Sequence, residues 1–174
     1  MTDPNPFLIG DPLTPNPQIN SLLGMLRYAR WTTLKTVKSL TVEQLDHLQD
    51  SDANSIGALL LHIASAEAWY QANTFDEREW NTAEEARWQV ALELGPAAQQ
   101  SIRNRPVSYY LDILAEVRAR TELELSRKDD EWLSVAEPFL GLTANRYWKW
   151  FHVCEDEINH RGQIRWLVKR LPAP

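Results

Sequence analysis

Apolar residues recur at intervals of three and four along most of the chain, the period of a helix with one face turned towards a core. Ile19, Leu22, Leu23, Leu26, Ala29, Thr33 and Val37 form one such stripe and predict a helix from Gln18 to about Leu40. A second helix starts near Asn54 or Ser55 and runs to about Asn73. Tyr110, Leu111, Leu114, Val117, Thr121 and Leu125 trace one face of a third, from Pro106 to Lys128. The last begins where Thr143 can cap it and continues to about Arg170, where Leu171-Pro172 stops it. Four long helices make an all-α, up-and-down four-helix bundle the expected architecture.

Shorter elements fill the connections. Thr41 and Gln44 form a capping-box pattern for a helix from Val42 to about Leu48, before Asp50, Ser51 and Asp52 break the chain. Thr82-Ala83-Glu84-Glu85 is a second capping-box pattern, opening a helix that Gly95 and Pro96 are expected to end. A break is expected from Asp129 to Gly141. Pro4, Pro6, Pro12, Pro15 and Pro17 remove so many backbone donors that residues 1–17 read as an extended arm, lying across the bundle or reaching a partner subunit. Residues 18–174 read as a single domain.

Composition narrows this picture. At 174 residues, with 44% hydrophobic and 24% charged, the chain can build one well-filled core and is too short for two. A net charge of -6 with no basic block argues against non-specific nucleic-acid binding and against an anionic membrane surface. Cys154 is the only cysteine, so no intrachain disulfide can form; with no leader pattern and no run of 18 apolar residues, a cytoplasmic protein is expected. The eight tryptophans are assigned to the core and to a homodimer surface, with Trp69 and Trp148 lining a pocket.

Two polar intrusions into apolar faces carry the chemistry. On the last helix His152, Asp156 and His160 follow one another at four-residue spacing and share a sector with Asn159, Gln163 and Leu167. On the second, His62 lies in a stripe with Ala58, Leu59, Ala66 and Trp69. Buried polar groups left without partners cost roughly 1–3 kcal/mol each, and an unpaired carboxylate far more, so something must satisfy these side chains. A divalent cation bridging the two helices would do so, and imidazole with carboxylate suits zinc, nickel or iron. His152 and His160 lie about 12 Å apart along the helix and cannot both reach one ion. Spacing alone leaves His152-Asp156 and Asp156-His160 as equal choices, and either pair taken singly is also an ordinary helical hydrogen bond.

The run Glu155-Asp156-Glu157-Ile158-Asn159-His160-Arg161-Gly162-Gln163-Ile164 resembles the last-helix signature of the DinB-like (DinB/YfiT) superfamily. The stretch from Ile56 to Tyr70, with His62 followed by Glu67 and aromatic residues, resembles its second-helix motif. The resemblance implies a four-helix bundle with metal ligands at His62, Asp156 and His160. Asp156 stands where a histidine is usual, which resembles a carboxylate-containing subgroup. His152 is left one turn outside, as a pocket-wall residue or a support for the ligands, and Gln163 joins the pocket.

The resemblance also implies a transferase or isomerase acting with a low-molecular-weight thiol such as bacillithiol or mycothiol on a small-molecule substrate, the metal holding the thiol as a thiolate. Two other readings stand beside it. One is a metal-dependent hydrolase with Glu67 or His152 moving protons; the other is a small-molecule-binding or stress-response protein with a structural metal. Glu67 is expected in acid–base chemistry or in an ion pair with an arginine such as Arg161. Cys154 is expected in the core and His47 in solvent.

Overall fold

The computed structural model describes residues 5–172. Met1 to Pro4 of the predicted arm and the last two residues lie outside the described part. Eight helices and one small hairpin are found among the described residues. The helices are α1 (Pro17–Val37), α2 (Val42–Asp46), α3 (Ile56–Thr74), α4 (Thr82–Glu93), α5 (Gly95–Ser101), α6 (Val107–Leu125), α7 (Asp130–Ser134) and α8 (Arg146–Val168). The hairpin β1 (Ala136–Phe139) and β2 (Leu142–Asn145) sits between α7 and α8. The long helices α1, α3, α6 and α8 form the bundle, α1 packing on α8 and α3 on both α6 and α8. The fold is all-α, as the apolar periodicity predicts.

Short polar side chains set most of the helix starts. Thr41 and Gln44 form the expected reciprocal cap on α2, and Ser55 accepts from the Ala58 amide at α3. At α4 the capping box lies one residue earlier than Thr82 suggests: Asn81 is the cap and Glu84 its partner. α4 ends just before Gly95 and Pro96, as expected, and the same two residues open α5, because a reversal with positive φ at Leu94 and Gly95 lets Pro96 sit in a first helical turn.

Thr143 does not cap α8. It lies in β2, and Asn145 takes the cap by accepting from the Trp148 amide at 2.8 Å. The expected break thus holds α7 and a strand, with Phe139 paired to Leu142 across a two-residue turn whose residues, Leu140 and Gly141, both have positive φ.

The core divides in two. Leu59, Leu60, Tyr110, Leu114 and Ile164 anchor one part, and Ile19, Leu22, Leu26, Leu133 and Trp150 the other. Among the buried charged side chains, one from each long helix meets the others inside the bundle: Arg30 on α1, Glu67 on α3, Arg118 on α6 and Glu157 on α8. Arg30 bridges Glu67 at 3.0 Å and Glu157 at 2.9 Å, and Arg118 bridges the same two carboxylates at 2.8 and 2.9 Å. Each guanidinium also donates to a backbone carbonyl, Leu114 for Arg30 and Leu26 for Arg118. A closed ring of two positive and two negative charges with these extra hydrogen bonds is the arrangement that lets buried ions persist.

Candidate metal centre

Helices α3 and α8 run antiparallel, with His62 against Asp156 and His160, Tyr70 against His152, and Thr74 against Trp150. This pairing brings the three expected donors together between the two helices. One ligand atom from each of His62, Asp156 and His160 lies within 4.8 Å of the others. Asp156 Oδ1 is 3.3 Å from His160 Nε2 and 3.7 Å from His62 Nε2, and the two imidazole centroids are 4.5 Å apart. The side chains are 14–16% exposed, shielded enough to hold an ion and open enough to admit one.

The surroundings aim both imidazoles. His62 Nδ1 lies 3.1 Å from the Ala91 carbonyl of α4, a contact that only a protonated Nδ1 can use, which turns Nε2 towards Asp156. His160 Nδ1 lies 3.3 Å from Gln163 Oε1, and its Nε2 likewise faces the carboxylate. Burial pushes the Asp156 carboxyl up, but hydrogen bonds and charge from His160 and His62 outweigh it and hold the group well below the usual carboxylate range. The His160 imidazolium is disfavoured by burial, yet Asp156 raises its pKa above the ordinary value. Two imidazole nitrogens and an ionised carboxylate, converging within 4.8 Å of one another, fit a divalent ion with open positions.

The remaining predicted residues separate into distinct roles. His152 is one turn from Asp156, its Nδ1 3.2 Å from Glu155 and its ring stacked on Trp148 at 5.2 Å and 6°. Trp148 lines a cavity of about 590 Å³ under the hairpin, and Gln163 lines another of about 450 Å³ with Gly162, Trp166 and Asn54. The two cavities lie on either side of the three donors along α8. Trp69 packs edge-on against Tyr70 and Phe139 and lines neither cavity.

Glu67 is a bundle residue. Both of its oxygens accept from guanidinium groups, Oε1 from Arg118 and Oε2 from Arg118 and Arg30. Burial raises its pKa but the two arginines overcome that and hold it at about 2, so it is a poor proton acceptor. Its partners are not Arg161, which donates to the Thr32 hydroxyl instead. Burial pushes the Cys154 thiol up to about 11, which fits a core residue and not a nucleophile.

Periodicity did not single out Tyr70, two turns beyond His62 on α3. Its ring contacts His152 at 5.9 Å, and burial followed by the Asp156 charge raises its hydroxyl pKa above the ordinary value. Its eight-residue spacing from His62 was the available signal.

A model of the family described as mycothiol-S-transferase matches residues 21–171. The chain belongs to the mycothiol S-transferase family. That places it within the DinB-like superfamily. No curated protein matches it significantly. Among solved structures, a conserved protein from Enterococcus faecalis is similar over 86% of this chain and 96% of its own, with a TM-score of 0.67 and 19% identity, a likeness of fold. The match to the mycothiol S-transferase family takes in α3 and α8 and hence all three donors. No helix among the described residues is long and apolar enough to cross a membrane.

Proposed function

We propose that the protein is a metal-dependent S-transferase that joins a low-molecular-weight thiol to an electrophilic small molecule. The observation that carries this reading is the convergence of His62 Nε2, an Asp156 oxygen and His160 Nε2 from two facing helices. These three would hold the ion, whose contribution when bound is to favour the thiolate over the thiol. His62 and His160 are kept in the required tautomer and orientation by the Ala91 carbonyl and Gln163.

His152, with Nδ1 turned to Glu155, has Nε2 left to accept the thiol proton one turn from Asp156. The sulfur then forms a bond to the electrophilic carbon as the bond from that carbon to its leaving group breaks, the leaving group departing with the electron pair. The cavity beside Gln163 suits the body of the thiol, because Gln163 touches the ligand His160 directly.

Elemental analysis of the purified protein, paired with mass spectrometry of mycothiol adducts, tests this. Stoichiometric metal and adduct formation are expected in the wild type, with both lost in His160→Ala. Retained metal in His160→Ala, or adduct formation unaffected by chelation, would overturn the assignment.

A further inference from the structure

Trp148, His152 and Asp156 succeed one another every four residues along one face of α8, with His160 one turn further on and His62 opposite on α3. At the Trp148 end of that face the hairpin folds back over the helix, and Phe139 comes to 5.3 Å from the Trp148 ring. The cavity of about 590 Å³ between them is walled by Phe139, Leu140, Leu142 and Trp148 and carries no charged side chain. Its size is that of a small-molecule site.

Leu140 and Leu142 flank this cavity at 87% and 80% exposure. Exposed leucines at the rim of an open apolar cavity are unfavourable in water unless something apolar covers them. The aromatic lining also does not stop at the cavity. Trp148 lies flat on His152, His152 meets the edge of Tyr70, and His152 is one turn from Asp156. An aromatic track thus leads from the hairpin to His152, one turn or about 6 Å along the helix from Asp156.

The hairpin is fastened at its base. A two-stranded hairpin is marginal alone, and here Glu137 of β1 accepts from Lys149 Nζ and from Arg146 Nη2, each at 2.7 Å. Lys149 is buried and also donates to Asn73. The clasp holds the roof of the cavity against α8.

We infer that the hairpin cavity binds the electrophilic co-substrate, a neutral molecule with an apolar aryl or alkyl body, and directs its reactive carbon along Trp148 and His152 to the triad. This rests on the S-transferase reading. The thiol then approaches from the Gln163 side, so the two reactants meet at the donors from opposite ends of α8. An uncharged lining selects against carboxylated or phosphorylated electrophiles, since no cationic side chain in it offsets their desolvation.

The test uses the full chain without added metal, titrated with 4-fluorotoluene and with the anionic control 4-fluorobenzoate, followed by fluorine NMR and tryptophan fluorescence. Leu142→Asp, at an exposed position, leaves the fold intact. The neutral probe is expected to bind the wild type and His160→Ala equally, to bind Leu142→Asp about tenfold or more weakly, and to be preferred over the anion. Equal affinity of Leu142→Asp and wild type overturns the inference. So does sedimentation of the wild type as a dimer that Leu142→Asp dissolves without any probe binding, because the leucines then cover a second copy. Thiol transfer to small polar electrophiles with no probe binding defeats this inference and leaves the S-transferase reading standing. Probe binding with no thiol transfer by metal-loaded protein defeats that reading and the co-substrate role with it.

Discussion

Arg118 grips Glu67 through two parallel hydrogen bonds, Nε to Oε1 at 2.8 Å and Nη2 to Oε2 at 3.0 Å, in the buried interior of the bundle. A bidentate pair of this kind is geometrically strict. Replacing Glu67 with Gln keeps the volume but leaves Arg118 and Arg30 sharing one carboxylate, so an uncompensated charge stays buried. Urea unfolding of Glu67→Gln should show a loss on the order of 3–5 kcal/mol. A loss below about 1 kcal/mol would show that the ring contributes little.

The same pair sets the acid limit of the fold. Glu67 is held at about 2, below its ordinary 4.5, so the folded state binds its proton less readily than the unfolded chain does. Its contribution is therefore complete above about pH 4.5 and is lost as the pH falls through about 2. Chemical denaturation between pH 5 and 2.5 should show wild-type stability falling, with a shallower fall in Glu67→Gln.

Gly57 and Tyr110 make a close approach where α3 meets α6. A Cβ at Gly57 would stand 2.6 Å from the Tyr110 hydroxyl oxygen and 2.8 Å from its ring, and that hydroxyl is buried without a protein partner. Gly57→Ala should cost about 1–3 kcal/mol. Tyr110→Phe should be neutral or stabilising by up to about 1 kcal/mol and should recover part of the Gly57→Ala loss in a double-mutant cycle. Strict additivity in thermal melts would contradict the contact.

The Glu137 clasp governs the hairpin and not the bundle. Glu137→Ala removes the shared partner of Arg146 and Lys149, leaving buried Lys149 with Asn73 alone. Amide exchange in β1 and β2 should speed up by about tenfold or more while the slowest amides of α1 and α6 slow down or quicken far less. Uniform quickening throughout would place the clasp in the global fold instead.

Much of this was legible in the sequence because period and chemistry agreed. The stripes on α1, α3, α6 and α8 gave the bundle, and His62, Asp156 and His160 stood out as polar residues on apolar faces. The hairpin did not stand out. Its strands have four residues each, and its turn uses Leu140-Gly141 in place of the Asn-Gly or Asp-Gly pairs that advertise two positive φ values. The charge ring left a fainter mark: Arg30 falls four residues after Leu26 within the α1 stripe, and Arg118 four after Leu114 within that of α6. Such marks show that a charge is buried, but which partner it meets depends on helix neighbours that only the tertiary arrangement defines. Arg161 was the arginine offered for Glu67, although Arg30 and Arg118, 37 and 51 residues away, are nearer in sequence.

The ring of Arg30, Glu67, Arg118 and Glu157 has a consequence for how this chain can change over time. Each corner neutralises two others, so any one of them altered alone strands a charge in the interior, and an acceptable exchange has to arrive at several corners together. The four positions are thus bound into one heritable unit. Because Glu67 follows His62 by five residues and Glu157 follows Asp156 by one, that unit also carries the alignment of α3 with α8, leaving the cavity walls to diversify while the spacing of the donors is handed down intact.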